Sequence, residues 1–408
     1  QVELEHVRKP PASPIPTENV EAVAVCLLHS YANASHEKFI GRALEDALPG
    51  VPISLSHEVL PEFKEYERMS TTTINAYVSP SVGVYLQGLR NRVSDMGIPS
   101  EVYLMQSNGG TTSVEAAIDR PIHTILSGPA AGVIGSVALS GVAGELNTIS
   151  VDMGGTSFDV CLSYEGEVRR SKESEIDSLP IKVPMVDIHT LGAGGGSIAW
   201  VDPGGALRVG PQSAGADPGP AAYGRGGTAA TVTDANLVLG RLNPERFLGG
   251  RMTLDLGLAR DAIKSEVADP LGLSLHEAAE GIVTVVNASM IKGIRVVSVA
   301  KGYDPREFTL IAFGGAGPLH AGELATELDM PRVLVPIAPG VTSAVGLLMA
   351  DVRHDYVRTV LQSGDAVTSD SLNTMYSDME NEAISQMTVE GFASSSVTLL
   401  RVADIRYA

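Results

Sequence analysis

The chain of 408 residues has only two cysteines, Cys26 and Cys161, both inside apolar segments. That rules out a disulfide framework or a Cys-type zinc cluster, and a reducing, cytoplasmic compartment is expected. Basic residues are scarce too: 29 Lys and Arg against 48 Asp and Glu leave a formal charge of −19. DNA or RNA would need clustered Lys and Arg, so no nucleic-acid partner is expected, and any nucleotide site must be local, built from backbone N–H groups and metal. No stretch approaches the roughly 18 unbroken apolar residues of a membrane helix. The first residues, QVELEHVRKPPASPIP, hold no apolar signal core, so no membrane partner is expected either. Missing as well are a Gly-x-Ser-x-Gly elbow, a Gly-x-x-x-x-Gly-Lys loop and an HExxH pair, which removes the main support for serine-hydrolase, P-loop and zincin readings.

Glycine, in contrast, is plentiful, with 43 residues, and the length calls for two domains or more. Apolar runs alternate with amphipathic ones, an α/β pattern. Strands are expected over 21–28, 51–60, 101–106, 308–313 and 332–336. Helices are expected over 35–48 (capped by Ser35), 71–96 with an interruption near Pro80, 113–120, 132–139, 274–300, 319–327 and 341–350. Residues 1–16 read as a polar strand end and a Pro-rich connector, and Ser127-Gly128-Pro129 as a turn. Ser274 and Glu277 have the spacing of a capping box. From 192 to 250 the composition shifts to Gly, Pro, Ala and Asp, which suggests long loops with short strands lining a cleft.

Three glycine-rich segments could hold chemistry. VDMGGTSFDV, Val151 to Val160, reads as a β-hairpin tip in which Gly154-Gly155 supplies positive φ and bare backbone. Thr156 and Ser157 add hydroxyl donors. Asp152 would repel a bare phosphate, so it fits such a site only with Mg²⁺ or its water between them. An ordinary turn using the same Asp and Gly looks alike. The second segment is Phe313 to Gly317, a strand ending in Gly314-Gly315-Ala316-Gly317 before a helix; that arrangement receives a phosphate or faces a nucleoside, though a crowded helix start reads the same way. The third is GAGGGS, Gly192 to Ser197, followed by Trp200 and Asp202, where open backbone suits a ligand or a plain flexible loop. Asp187 and His189 share one side of a strand and could meet a metal or a carbonyl substrate, or simply complete hydrogen bonds, the reading given also to His320 and His354.

In that order the motifs resemble the actin, sugar-kinase and heat-shock-chaperone ATPase superfamily. VDMGGTSFDV is similar to its second phosphate motif, FGGAGPLHA from Phe313 to its adenosine motif, and SGPAAG from Ser127 and SAVG from Ser343 to its two connecting helices. The phrases INAYVSP, QSNGG, ILSGPAAGV, SAGADPGPAAYGRGG, VTDANLVLGRL and KGYDPREF narrow the resemblance to the hydantoinase A and 5-oxoprolinase family. The resemblance implies an actin-like, ribonuclease-H-like fold in two lobes. Residues 1–140 would be the remainder of the N-terminal lobe with the first connecting helix, and 141–360 the second lobe with an insertion near 192–250. Residues 361–408 would start a C-terminal α/β domain.

It also implies ATP and Mg²⁺ as cofactors, with Asp152 as the catalytic and metal-binding acid. Gly154, Gly155, Thr156 and Ser157 would hold the phosphates, Gly314, Gly315, Ala316 and Gly317 the adenosine, and GAGGGS, Asp187 and His189 the carbonyl substrate. The implied activity is ATP-dependent opening of a cyclic amide such as a hydantoin or 5-oxoproline, beside a hydantoinase B-type subunit in a hetero- or homo-oligomer. The alternatives are an ATP-using subunit of an acetone- or acetophenone-type carboxylase and a nucleotide-binding module without catalysis. The family opens with Asp-x-Gly-Gly-Thr-x-Thr-Asp, absent here, so the chain reads as a fragment, inactive alone.

Overall fold

The computed structural model describes residues 19–405 apart from 100, 177, 361 and 363–365; the strand end expected over 1–16 lies outside them. The chain forms two compact units, one of Gln1–Ile125, Ser171–Met185 and Asp351–Ala408, the other of Leu126–Arg170 and Val186–Ala350.

The second unit is built on a mixed sheet. Its strands run in the order His189–Leu191, Phe158–Tyr164, Thr148–Met153, Thr309–Phe313 and Arg332–Leu334, with Glu167–Val168 paired to Phe158–Tyr164. Among the first three each strand is antiparallel to its neighbour, and the last three are parallel. Taken in chain order this is 3-2-1-4-5 with only the second strand reversed, the ribonuclease-H-like arrangement that the actin-like reading requires. Alternation splits the strands between two faces. Ile149, Val151, Met153, Val160, Leu162, Leu310 and Ala312 enter the main core with the helix Leu275–Val297. Cys161 packs on the opposite face with Ala130 and Val133 of the helix Ser127–Val142.

Leu275–Val297 begins at the expected box: Ser274 Oγ accepts from Glu277 N at 3.3 Å, and Ser274 N donates to Glu277 Oε2 at 2.9 Å. By length and composition this segment could cross a membrane, but Ile282, Val286, Met290 and Ile294 are buried against the sheet. Its apolarity is that of a core helix. Ser127–Val142 contains the Gly-Pro pair that was expected to make a turn. Pro129 lies in its first helical turn, where a missing N–H costs nothing. The helix meets Thr342–Met349 backbone to backbone, since a Cβ on Gly346 would lie 1.8 Å from Ala131 O and one on Gly135 2.3 Å from Thr342 O. Within 192–250 there is more order than expected: strands Ser197–Val201 and Leu207–Ser213 pair, and helix Val232–Val238 starts at a second capping box, Thr231 with Asp234.

In the first unit, parallel strands Val23–Val25 and Ile53–Leu55 pack on helix Ser35–Ala47. Ala34, not Ser35, is the cap of that helix. The second strand stops at Leu55 because Ser56–Val59 turns helical. The fully buried Glu37 accepts from Leu27 N, Ser56 Oγ and His57. Helix Glu65–Asp95 runs without a break through Pro80. The polar QSNGG segment closes a turn: Gly110 N donates to Asn108 Oδ1, and Gln106 Nε2 donates to Arg353 O. Among the nearby groups, His123 is half-buried and desolvation lowers its pKa to about 4, while His354 pairs with Glu390 at 2.8 Å.

Candidate functional site

The three glycine-rich segments converge on one point of the second unit. Strand Thr148–Met153 ends in Gly154 and Gly155, which turn back into Phe158–Tyr164, and Gly154 N donates to Ser157 O at 3.2 Å. Neither Gly154 nor Gly155 takes a positive φ, contrary to the expectation for this turn. The close approach that excludes a side chain falls instead on Gly194 and Gly196, which lie against this turn. Gly195 N donates to Gly154 O at 3.0 Å and Gly196 N to Gly155 O at 2.7 Å, so GAGGGS lies as a buried strap against the tip. A Cβ on Gly194 would sit 2.5 Å from the carbonyl of Gly155 and from Thr156 N, and one on Gly196 2.9 Å from Gly155 O. The strap is fastened from behind, where Thr233 N and Thr233 Oγ1 both donate to Gly195 O at 2.7 and 2.8 Å.

The adenosine-like segment closes over the same point. Gly314 has φ +80°, and a Cβ there would lie 2.2 Å from Asp152 Oδ1 and 2.6 Å from Met153 O; Ala316 N donates to Met153 O at 2.9 Å. In contrast, a Cβ on Gly154, Gly155 or Gly315 would meet nothing within 4 Å. Gly155, Thr156 and Gly315 are exposed. The result is a tip of bare main chain, packed tightly from below and open above, beside the N-terminus of helix Gly317–Glu327. Such a cradle suits an anion.

Two acids stand at its edge. Asp152 faces Asp159 directly across the ladder. Burial first, and then the Asp159 charge, push the Asp152 carboxyl up to about 6. Burial raises Asp159 as well, opposed by hydrogen bonds from Thr190 Oγ1 at 2.6 Å and from Ser157 Oγ at 3.5 Å. Two crowded carboxylates, partly stripped of water, are poorly matched to one another and well matched to a hard cation. Among the described residues no group of three or more His, Cys, Asp or Glu could hold a metal. The pair alone would supply a Mg²⁺ with no more than two carboxylates, so such an ion would need its other ligands from water or from a bound ligand.

The other sequence candidates lie elsewhere. Asp187 is bonded to Lys301 Nζ, with Arg169 Nε at 3.9 Å. His189 pairs with Val160 and comes near helix Leu275–Val297, its Cδ2 3.7 Å from the Cβ position of Gly293. Thr190, between His189 and Leu191, is the residue of that strand that reaches the acids. Trp200 and Asp202 serve the hairpin after GAGGGS: Trp200 Nε1 donates to Gly210 O, and Asp202 accepts from Gly204 N, Ala206 N and Arg208 Nε. His320 is buried, its Nδ1 2.7 Å from Asn287 Oδ1, and burial lowers its pKa to about 4, so the ring is neutral. Asp159 and Thr190 were not singled out from sequence. The signal for Asp159 was there, since it mirrors Asp152 across the turn.

The mixed sheet in the order 3-2-1-4-5, with the glycine-rich tip and the two acids at its strand ends, defines a ribonuclease-H-like fold. Residues 68–356 match the hydantoinase/oxoprolinase family, and the chain belongs to it. The chain is 42% identical over 381 residues to the caprolactamase subunit alpha of Pseudomonas jessenii, covering 93% of this chain and 55% of that subunit. Against the 5-oxoprolinase of Saccharomyces cerevisiae it is 34% identical, covering 95% of this chain and 31% of the relative. The crystal structure of the ATP-dependent caprolactamase of P. jessenii superposes with a TM-score of 0.80 at 42% identity, covering 91% of this chain and 54% of that one. A nucleotide-free acetone carboxylase does so with a TM-score of 0.78 at 32% identity, covering 93% and 55%. The chain thus spans about half the length of the caprolactamase and acetone carboxylase chains it matches.

Proposed function

We propose that the protein containing this chain uses ATP to activate the carbonyl of a cyclic amide for ring opening, and that this chain supplies the phosphate-handling lobe. The observation that carries the reading is the meeting of Gly154–Gly155, Gly194–Gly196 and Gly314 around Asp152. The family membership and the 42% identity to a caprolactamase subunit support the lactam as acceptor.

An amide resists water because its nitrogen lone pair feeds the carbonyl. In the proposed reaction the amide oxygen attacks the γ-phosphorus as the bond to the bridging oxygen breaks, releasing ADP. One water then adds to the activated carbon and the C–N bond opens, leaving an acyl phosphate; a second water frees the carboxylate and phosphate. The chain's own contribution is positioning and charge control rather than a covalent nucleophile. Gly154 to Ser157 offer backbone and hydroxyl donors to the β- and γ-phosphates, and Gly314 to Gly317 leave a bare wall for the adenosine. Asp152 and Asp159 would hold Mg²⁺, which would neutralise phosphate charge when bound. Asp187 and His189 stay proposed contacts to the carbonyl substrate, Asp187 only if it leaves Lys301.

In the full-length protein with any partner subunit, ATP turnover stimulated by 5-oxoproline, hydantoin or caprolactam, and lost in Asp152→Ala, is the expected result. Turnover intact in Asp152→Ala would sink the assignment of Asp152. Stimulation by acetone and bicarbonate instead would move the acceptor to a ketone, as the likeness to acetone carboxylase allows. A B-type subunit is the proposed partner.

A further inference from the structure

We infer that His320 and Asn236 are positioning residues that set the register between the strap Gly194–Gly196 and the wall Gly314–Gly317, and through it the fit of a nucleoside. This rests on the nucleotide reading of the cradle. Strap and wall are each pinned to the hairpin by main chain, the strap through Gly195 N to Gly154 O and the wall through Ala316 N to Met153 O. They meet one another through small groups, the Ala316 methyl 3.9 Å from the Cβ position of Gly195. Apolar contact of that kind has no direction, so it fixes no single register. Each is backed by a helix, however, and the two helices are joined one turn further along. Thr233 of helix Val232–Val238 donates to Gly195 O through both N and Oγ1. Three residues on, Asn236 Nδ2 lies 3.3 Å from His320 Nε2, and His320 stands three residues into the helix Gly317–Glu327 that continues the wall.

Each donor and acceptor in this clasp is fixed by the next. Asn236 Nδ2 also bonds to Val232 O at 3.1 Å, and a carbonyl only accepts, so this atom is the amide nitrogen. His320 Nε2 is then the bare, accepting nitrogen, and the protonated Nδ1 donates to Asn287 Oδ1 at 2.7 Å. Asn287 Nδ2 donates in turn to Glu323 Oε2, whose other oxygen accepts from Arg241 Nη2 at 2.6 Å. An imidazolium would set donor against donor at Nε2. Burial, followed by the Arg241 charge, keeps the ring neutral, its pKa lowered to about 4. A fully buried histidine between two buried asparagines is an unfavourable way to fill a core, the more so because Asn236 Oδ1 has no hydrogen-bond partner among the described residues. Apolar side chains of the same volume would hold the helices about as firmly. What they would lack is direction. The clasp confers one register on its two helices, and strap and wall, each one turn away, inherit it.

Titration calorimetry of the full-length protein with Mg-ATP and with Mg-tripolyphosphate, which brings phosphates without a nucleoside, tests this. His320→Leu and Asn236→Leu open the clasp from its two sides. Each is expected to weaken Mg-ATP about tenfold, as the loss of one or two hydrogen bonds would, and to change Mg-tripolyphosphate by less than about twofold. His320→Gln still offers an acceptor to Asn236 and a donor to Asn287, so it is expected to recover Mg-ATP affinity. The double variant is expected to be no worse than either single one, since the same bond is lost once. Equal losses for the two ligands, losses that add, Mg-ATP affinity unmoved in both single variants, or a His320→Gln as weak as His320→Leu overturn the inference and leave the nucleotide reading intact. A wild type that binds Mg-ATP no tighter than Mg-tripolyphosphate overturns both. Where a leucine variant does not fold, NMR of histidine-labelled wild type decides, with the His320 signals identified by their absence from His320→Gln. Nδ1 is expected to be protonated and Nε2 bare, with Nε2 shifting on addition of Mg-ATP but not of Mg-tripolyphosphate. A protonated Nε2, or no shift with Mg-ATP, overturns the inference.

Discussion

Asp152 and Asp159 stand directly opposite each other across the antiparallel ladder, two residues before and two residues after the turn of residues 154–157. Each raises the cost of ionising its neighbour, and for Asp152, pushed up to about 6, burial adds the larger part. Mg-ATP affinity is therefore expected to fall at least tenfold as pH drops from 7.5 to 5, following protonation of Asp152. In Asp159→Asn the repulsion is gone, so the acid limb moves to lower pH even as affinity at neutral pH weakens. Calorimetric titration of Mg-ATP across that range checks both statements.

The same raised pKa has a consequence for stability, of opposite sign to that of a salt-bridged acid. A carboxyl whose pKa is higher in the folded state than in the unfolded chain binds extra protons when folded, so stability falls as pH rises from about 4 through about 6. Asp152→Asn removes that cost. It is expected to stabilise the ligand-free protein at pH 8 on the order of 1–2 kcal/mol, after allowance for partial exposure, and to change little at pH 4. Thermal melts at the two pH values would show it.

Glycines around the tip fall into two kinds. Gly194→Ala drives a methyl into the Gly155 carbonyl and Thr156 N at 2.5 Å; it is expected to destabilise by about 1–3 kcal/mol and to weaken nucleotide binding with it. Gly315→Ala meets nothing, so its melting temperature is expected to match wild type while nucleotide affinity drops. Equal effects on folding and binding at both positions would refute the cradle.

Gly346→Ala tests the helix crossing. Its Cβ would lie 1.8 Å from Ala131 O and 2.7 Å from Gly135 N, with no side chain to yield. A loss of about 3 kcal/mol or more is expected from forced separation of the two helices, at the upper end of the overpacking range. Chemical denaturation measures it.

Asp187→Asn separates architecture from chemistry. With Lys301 and Arg169 as neighbours, the substitution is expected to lower stability by about 1 kcal/mol and to leave Mg-ATP affinity within twofold. A selective rise in KM for the cyclic amide with unchanged ATP affinity would instead support its role toward the substrate.

Much of this was legible in the residues. The apolar runs marked the central strands, Ser274 and Glu277 the start of the core helix, and VDMGGTSFDV the hairpin. What misled were rules of local conformation where tertiary contact decides. Gly154 and Gly155 suggested left-handed backbone, yet they adopt none, and the positions where a side chain would clash are Gly194 and Gly196, which press on this turn. Pro80 suggested a break, but the helix persists because its buried face is already packed on both sides of that residue. Ser127-Gly128-Pro129 suggested a turn, since a proline in a first helical turn and one in a β-turn leave the same trace. Thr190 carried no local signal at all, as only strand pairing brings it to Asp159.

The cradle at Gly154 and Gly155 is assembled from atoms that every amino acid possesses. A recognition surface written in side chains can be retuned by exchanging one for another, whereas here each exchange can only add matter to a space that must stay empty. Variation at these positions is one-directional: it can abolish the site but has no means of redirecting it. On the proposed assignment, a change of acceptor would have to be made away from the tip.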